Sequence, residues 1–405
     1  MQAALASGVT RFKPLIAFGD LESVGQNPVR VLSLGQTIGN SVAGQIDASQ
    51  QQDALNSTLL NALKAQGLTD DQANQALSTF QALSGANGGP NMLDQGPSGN
   101  FSYTPQDATQ QSAYDNALNQ TGSTSIASQV ASIVATKEAF DSYVANNSVP
   151  ASVQATFTDA LLSEDVYFNQ SIPELLAGTG YSRVTDPAAL SALGVNASQF
   201  SDSKSGFYAA LYEDSDTGSY VLADRGTVNL AGWAANASQA LGYGSKQYAE
   251  GINLASTLAN NLGDDLSFTG HSLGGGLAAA EAVVTGLQAT VFDPSGVNEA
   301  TIAPYGPSAV ANYNNAQNFV HSYDLNGEFL GWFDDQGGKY VVGYDTLGVP
   351  GLAIASQIPG TLGPVTPVPA VNQNGQSIST SWFNPSMALH GLNYMIYGLN
   401  SLVRQ

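Results

Sequence analysis

Residues 264–286 read DDLSFTGHSLGGGLAAAEAVVTG and predict a strand, a tight turn and a helix in succession. Residues 266–268 are a short apolar run typical of a buried strand, and residues 277–284 are rich in Ala, Leu and Val. Between them, residues 270–274 follow the pattern G-x-S-x-G. A serine in such a turn exposes its hydroxyl oxygen, and the tight backbone requires a small residue two positions away on each side. We therefore predict that Ser272 is a nucleophile.

The composition excludes several classes of partner. The 405-residue chain has 11 Lys plus Arg against 32 Asp plus Glu, which gives a net charge of −21. Because phosphate backbones are bound by clustered basic side chains, we predict no nucleic-acid partner. The chain has no Cys, which excludes disulfide bonds and thiolate chemistry. We expect a monomer, since a large charge of one sign opposes self-association.

The same composition favours a secreted or extracellular protein. Charged residues make up 11% of the chain, well under the usual quarter or so. Residues 1–9 have neither the basic start nor the apolar run of a cleaved signal peptide. No stretch approaches the ~20 apolar residues of a transmembrane span. The prediction is therefore export without a recognisable N-terminal signal peptide and without a transmembrane segment.

The chain is predicted to divide near residue 150. Residues 1–150 form a helical N-terminal region of unknown role, interpreted as a helical appendage that packs on the rest of the protein. Helices are expected in this region at 52–65, 70–83 and about 125–146, with Thr69 and Gln72 as a capping box. The block Ile16–Ser23 resembles the start of the GDSL hydrolases, but Leu21 stands where that block needs Ser, so we interpret it as a turn.

Residues 151–405 are predicted to form an α/β catalytic domain. Aromatic and β-branched runs at 206–212 and 219–223 flank the turn at 214–218 and indicate a hairpin. Short apolar strands then alternate with helices, a pattern typical of a mainly parallel sheet with covering helices. The Pro- and Gly-rich residues 361–376 are expected to be irregular, and a final helix is expected to start near residue 386.

A serine nucleophile needs a base, and the chain has three histidines. His271 lies inside the turn, and we expect its side chain to point away from that of Ser272. His321 lies in a predicted strand and is interpreted as a packed core residue. His390 follows a Pro-containing loop near the C-terminus, where hydrolases with the order Ser, acid, His place the base.

Two aspartates are candidates for the acid that orients the base. Asp324 follows the predicted strand 318–322, and Asp293 follows the strand before it. Either residue could orient an imidazole, and both also fit a turn at the end of a strand. The spacing in sequence does not separate them.

Three blocks of the chain resemble the class 3 (fungal-type) lipases of the α/β-hydrolase superfamily, with bacterial phospholipase A1-like relatives among them. The blocks are VLADRGT at 221–227, TGHSLGG at 269–275 and NFVHSYD at 318–324. The resemblance covers about residues 200–400. It implies an α/β-hydrolase fold, a Ser-His-Asp triad and no cofactor.

Carried over by position, the resemblance implies Ser272 as nucleophile, Asp324 as acid and His390 as base. It implies an oxyanion hole from the backbone N–H groups of Thr227 and Leu273. The chain departs from the family where Leu325-Asn326-Gly327 follows the acid in place of an apolar-Pro segment. This departure keeps Asp293 as the alternative acid.

The segment 228–243 has apolar residues at helical spacing: Leu230, Trp233, Ala234, Ala237 and Leu241. In the family that it resembles, the equivalent segment is a lid that moves aside at a lipid surface. An ordinary amphipathic surface helix explains the same pattern, so both interpretations stay open.

The sequence therefore predicts a carboxylic ester hydrolase of the lipase or phospholipase A1 kind, acting on a lipid or ester substrate through an acyl-enzyme. A polyesterase acting on an insoluble polymer is the alternative within the enzymes. A non-catalytic extracellular binding protein on the same fold is the alternative outside them. The chain has no D-x-[DN]-x-[DN]-G loop for Ca²⁺, and we predict no metal or cofactor site.

Overall fold

A computed structural model describes residues 56–85, 101–226, 242–328, 359–379 and 387–404, with the backbone alone at 79–85. Three features predicted from the sequence lie outside these ranges. They are the Ile16–Ser23 block, Thr227 and nearly all of the segment 228–243.

Within the described residues, eight strands form one mixed sheet, in the order β1-β3-β4-β5-β6-β7-β8, with β2 paired to β3. Strand β3 pairs in an antiparallel way with β1, with β2 and with β4. The successive pairs from β4 to β8 are parallel. The strands are β1 (Tyr181–Arg183), β2 (Ser201–Asp202), β3 (Phe207–Asp214), β4 (Tyr220–Asp224), β5 (Leu266–His271), β6 (Gln288–Phe292), β7 (Val320–Leu325) and β8 (Val365–Val368). The predicted α/β class with a mainly parallel sheet is confirmed.

Twelve α-helices are present in the described residues, and short 3₁₀ turns connect several of them. The helices are α1 (56–65), α2 (Asp70–Gly85), α3 (Ala108–Thr121), α4 (Thr124–Asn146), α5 (Ala151–Asp165), α6 (Pro173–Leu176), α7 (Pro187–Ala192), α8 (Lys246–Leu262), α9 (Leu273–Thr285), α10 (Glu299–Ile302), α11 (Pro307–Tyr313) and α12 (Leu392–Leu402).

The helix starts follow local capping chemistry. At α2, the Thr69 N–H donates to Gln72 Oε1 (3.0 Å) and the Gln72 N–H donates to Thr69 Oγ1 (3.3 Å), which confirms the predicted capping box. At α7, Asp186 accepts from the Ala188 N–H at 3.1 Å and Pro187 occupies the first turn. Each cap satisfies an N–H group that the helix itself leaves unpaired.

Helix α3 and strand β8 are among the elements that were not predicted from the sequence. The Gln- and Asn-rich sequence of α3 buries only Gln110, Ala113 and Ala117 and shows a weak apolar period. Strand β8 lies in the segment that we expected to be irregular. Pro367 is tolerated there because β8 ends the order of strands, and a proline can sit on an edge strand without breaking the ladder.

Each face of the sheet is covered by its own layer of helices. Alternate strand residues point to opposite faces, so Leu211 and Leu222 join one core while Ala210 and Val221 join the other. The first core packs against α8 and α9, which bury Tyr248, Ile252, Leu258, Leu277 and Val283. The second core packs against α3, α4, α5 and α12, which bury Ile133, Val134, Phe157, Leu161 and Ile396.

Contacts run across the boundary that was predicted at residue 150. The Ser132 hydroxyl of α4 is hydrogen-bonded to the Tyr397 hydroxyl of α12. The side-chain nitrogen of Gln66 donates to the Ser205 carbonyl at 2.8 Å, and Ser245 Oγ donates to Gln66 Oε1 at 2.8 Å. The division into an N-terminal region and a catalytic domain stays a prediction, but α4 packs in the same core as the end of the chain.

Candidate active site

Ser272 stands at a sharp turn between β5 and α9. Its backbone has φ 61° and ψ −127°, a conformation that side-chain-bearing residues rarely adopt, and it is one of two non-glycine residues with positive φ in the described ranges. Its N–H donates to the Phe292 carbonyl at 3.0 Å, which ties the turn to β6. The turn therefore has the predicted strand-turn-helix context of a nucleophile elbow.

The two glycines of the elbow, Gly270 and Gly274, are required because a Cβ atom would not fit at either position. A Cβ at Gly270 would lie 2.3 Å from the Gly274 carbonyl oxygen, and a Cβ at Gly274 would lie 2.1 Å from the Asp224 carbonyl oxygen. Both contacts are with backbone atoms, which cannot rotate aside as a side chain could. Any larger residue at either position would displace the strand end or the helix, and Ser272 with it.

Leu273 is the first residue of α9 and is fully buried. The N–H groups in the first turn of a helix have no partner within the helix and point at its N-terminal end, where the helix dipole favours negative charge. This is the position at which an oxyanion hole donor is needed. Thr227, the other predicted donor, lies just past Gly226, the last described residue of that segment.

His390 meets Ser272 from the C-terminal part of the chain. Its Nε2 lies 2.8 Å from Ser272 Oγ, and its side chain is buried. The residue closes a 3₁₀ turn, Met387–His390, which comes directly before α12. Of the three histidines, His390 has the contact that a general base needs.

Glu328 contacts the other ring nitrogen of His390, Nδ1. Its Oε1 lies 2.8 Å from His390 Nδ1, and the carboxyl is fully buried. Glu328 follows the end of β7 by a tight turn in which its N–H donates to the Leu325 carbonyl at 3.1 Å. Gly327 has φ 79° in this turn, a conformation that favours glycine.

This contact adds a third candidate to the two predicted acids, whose roles stay predictions. Asp324 lies within β7, opposite Pro367 of β8, four residues before the carboxyl that contacts His390 Nδ1. Asp293, the alternative, has a carboxyl oxygen within 4.8 Å of ring nitrogens of His271 and His390. The contact of Glu328 has a physical reason: the turn at Asn326-Gly327 carries the chain past the strand end and brings a longer side chain to the imidazole.

Glu328 was not predicted from the sequence, although the sequence contains a signal for the turn that precedes it. The departure from the family pattern, Leu325-Asn326-Gly327, is itself a turn signal, because Asn-Gly is a strong turn dipeptide. A turn at this place makes the next residue, Glu328, the first one that can face back towards the serine.

His271 lies beside the base, although its side chain was expected to point away from Ser272. Its ring centroid is 4.7 Å from that of His390, and its Nδ1 lies 2.9 Å from the Tyr167 hydroxyl. Burial, and then the neighbouring His390, lower the pKa of His271 well below its ordinary value. His271 is therefore a neutral imidazole in the wall of the site. The remaining histidine, His321, is exposed on β7, so its interpretation as a packed residue is wrong.

A pair of buried carboxyl groups, separate from Glu328, lies under the elbow. Asp224, at the end of β4, and Glu281, in α9, are both fully buried. Burial raises the pKa of Asp224 well above its ordinary value, and burial together with the neighbouring Asp224 does the same for Glu281. Two carboxylates cannot donate to each other, whereas a protonated carboxyl can donate, so the raised pKa values favour a proton on this pair.

His271, Asp293 and His390 form a cluster of three metal-binding side chains within the described ranges, with ligand atoms within 4.8 Å of one another. Both ring nitrogens of His390 already have contacts, with Ser272 and with Glu328. A metal ion at this cluster would compete with the serine-histidine contact. We therefore assign these residues no metal.

The comparison with known protein families agrees with this geometry. A family model described as phospholipase-like, the Tle-like phospholipase domain, matches residues 158–377, which is more than half of the chain. The chain belongs to this family. The matched Tle-like phospholipase domain includes the elbow, Asp293 and Glu328, whereas His390 lies beyond it.

A curated relative supports the same assignment. The extracellular phospholipase A1 of Serratia liquefaciens is 36% identical over 179 residues, which are 43% of this chain and 54% of that protein. The chain thus spans about half the length of this relative. The predicted resemblance to bacterial phospholipase A1-like lipases is confirmed, and with it membership of a family of carboxylic ester hydrolases. Across the described part of the Tle-like phospholipase chain, no helix is long and apolar enough to cross a membrane.

Proposed function

We propose that the protein is a phospholipase A1-like serine hydrolase that cleaves acyl esters of lipids. The observation that carries the proposal is the 2.8 Å contact between His390 Nε2 and Ser272 Oγ at the elbow. Two buried residues from distant parts of the chain meet there as a base and a nucleophile must. The relatives that the chain resembles are named as phospholipases, which supports a phospholipid as the substrate.

In the proposed mechanism, Ser272 Oγ attacks the ester carbonyl carbon while His390 Nε2 takes the hydroxyl proton. The negative oxygen of the tetrahedral intermediate is stabilised by the Leu273 N–H and, in the same role, by Thr227. His390 then gives its proton to the leaving alcohol, here a lysophospholipid, and an acyl-enzyme forms. Water attacks this acyl-enzyme by the reverse proton route and releases a fatty acid and free Ser272.

Glu328 is proposed as the third member of the triad, in place of Asp324. Its buried carboxylate at 2.8 Å from His390 Nδ1 supports this role, because it orients the imidazole so that Nε2 faces the serine. The carboxylate also stabilises the imidazolium that forms in each proton transfer. The fully buried side chain keeps the contact away from water, which strengthens it.

The experiment is hydrolysis of a phosphatidylcholine with distinct acyl chains at its two positions, by the wild type and by Ser272→Ala. We expect the wild type to release the sn-1 chain and the variant to lose at least about 10³-fold in kcat. A fluorophosphonate probe should label Ser272 in the wild type and not in the variant. A folded wild type that neither hydrolyses the lipid nor takes up the probe would overturn the proposal and favour a binding protein on this fold.

We also propose that the protein acts outside the cell. The relative's name describes an extracellular enzyme, and the low fraction of charged residues, 11%, supports the same location. Immunodetection in culture medium and in washed cells of the source organism tests this. Protein confined to the cells would contradict it.

A further inference from the structure

Asp293 follows β6 directly, and its backbone turns away from the sheet at that point. It has φ 41°, the second positive value among the described non-glycine residues. Its N–H still donates to the Tyr323 carbonyl at 2.8 Å, as the parallel ladder between β6 and β7 requires. In such a ladder, the next bond runs from the N–H of Leu325 to the carbonyl of Asp293.

The side chain of Asp293 makes this next bond in place of the backbone. Leu325 donates its N–H to Asp293 Oδ1 at 2.7 Å, in a contact that is fully buried. The carboxyl oxygen therefore extends the ladder by one step beyond the point where the backbone leaves it. An N–H left without this acceptor would be a buried donor with no partner, which destabilises the strand end.

Leu325 begins the turn that carries Glu328. The Glu328 N–H bonds back to the Leu325 carbonyl at 3.1 Å, and the Asn326 N–H donates to the Val368 carbonyl of β8 at 2.9 Å. The turn is thus tied to β8 on one side and to Asp293 on the other. A shift of Leu325 would move Glu328, three residues later, away from His390.

The groups that face Asp293 argue against a charge on it. Glu328 and Asp324 approach it from β7 and the following turn, while His271 and His390 approach from β5 and from the C-terminal 3₁₀ turn. Burial, and then the carboxyls of Glu328 and Asp324, raise the pKa of Asp293 well above its ordinary value. Glu328 Oε1 already lies 2.8 Å from His390 Nδ1, so the site does not need the Asp293 carboxyl as a second partner for that nitrogen.

We propose that Asp293 is a positioning residue: as a hydrogen-bond acceptor it extends the β6–β7 ladder to Leu325 and so holds Glu328 against His390. It acts through its shape and its acceptor oxygen, not as the acid of the triad. The proposal rests on the proposed roles of His390 and Glu328. It goes beyond them by giving the alternative candidate acid a different task.

The test compares Asp293→Asn with Asp293→Gly. Asn keeps the acceptor oxygen and tolerates positive φ, whereas Gly removes the acceptor without adding backbone strain. We expect Asp293→Asn to keep kcat within about fivefold of the wild type, and Asp293→Gly to lose about 10²-fold, the cost of a small misplacement. KM should change little in both, and the lower-pH limb of the kcat/KM profile should keep its position in Asp293→Asn.

The outcomes separate the positioning role of Asp293 from the alternative, in which its charge is needed for catalysis. A loss of about 10³–10⁴-fold in Asp293→Asn would show that the charge of Asp293 is needed and would overturn the positioning role. Wild-type kcat in Asp293→Gly would overturn it as well.

Amide hydrogen exchange tests the same contact without activity. The Leu325 N–H should stay protected in Asp293→Asn and exchange faster in Asp293→Gly, and equal protection in the two variants would overturn the proposal. If the wild type hydrolyses no ester, the proposed function fails while this measurement still decides the role of Asp293. If Asp293→Gly does not fold, the activity and exchange of Asp293→Asn remain decisive.

Discussion

Buried carboxyl groups gather at two places around the elbow, and they differ in what faces them. Beside the nucleophile, Glu328 lies 2.8 Å from a ring nitrogen of His390. Below the elbow, Asp224 faces Glu281, and burial raises the pKa of both. An imidazole can accept a proton and so stabilise a carboxylate, whereas a second carboxyl must share a proton with the first. The neighbouring group thus decides whether a buried carboxyl is stabilised as a charged carboxylate or as a neutral hydrogen-bonding group.

The largest expected effect comes from removing the charge that faces the histidine. We expect Glu328→Gln to lower kcat by about 10³–10⁴-fold while the protein stays folded, because the amide no longer stabilises the imidazolium or fixes its tautomer. Steady-state hydrolysis of a p-nitrophenyl ester measures this loss of kcat.

The matched variant is Asp324→Asn, which tests the acid predicted from sequence. We expect it to lose far less activity than Glu328→Gln. The reverse order of the two losses would return the acid to Asp324 and break the comparison between the two carboxyl sites.

A third place in the molecule sharpens the comparison, because there a buried carboxyl faces a partner that is always charged. Asp165 Oδ2 lies 2.6 Å from Arg183 Nη2, and both side chains are buried. Arg183→Met should lower the free energy of unfolding by about 3–5 kcal/mol, since it removes the cation that faces the buried Asp165 carboxyl. Denaturant unfolding measures the change.

Lys246→Met is the control for this ion pair. Lys246 Nζ lies 2.5 Å from Asp202 Oδ2, but the side chains are 42% and 26% exposed. An exposed pair contributes under about 1 kcal/mol. Equal losses in the two variants would mean that burial does not set the strength of these pairs.

The smallest expected effect depends on pH and concerns Asp224 and Glu281. Their pKa values are raised, so the native state binds more protons than the unfolded chain above about pH 4. The free energy of unfolding therefore falls as pH rises through the raised values. Glu281→Gln supplies an amide donor to Asp224 and needs no proton.

We expect the stability of Glu281→Gln, relative to the wild type, to rise by at least about 1 kcal/mol between pH 5 and pH 8. Chemical unfolding at several pH values measures this difference. Asp115→Asn on the exposed surface of α3 removes one negative charge in the same way and controls for the net charge of −21. A pH dependence of Glu281→Gln that matches this control would contradict the shared proton.

Much of the fold could be predicted from local pattern. The hairpin of β3 and β4, the elbow between β5 and α9, and the capped start of α2 each follow from residues that are close in sequence. Helix α3 and strand β8 were missed for opposite reasons. The apolar period of α3 is weak, and β8 holds its place through pairing with β7, which no local preference of a Pro-rich segment reveals.

By itself, the sequence was enough to select the two residues that we propose as nucleophile and base. The glycines at 270 and 274 leave room for one geometry of Ser272, and His390 is the histidine that follows the acid-bearing strands in the expected order. Only the tertiary structure showed which carboxyl contacts the proposed base. Asp293, Asp324 and Glu328 are all carboxyls near strand ends, and their chemistry is alike. Which of them contacts His390 Nδ1 depends on how a turn of the chain aims one side chain across the sheet, and that distance is set by packing between segments far apart in sequence.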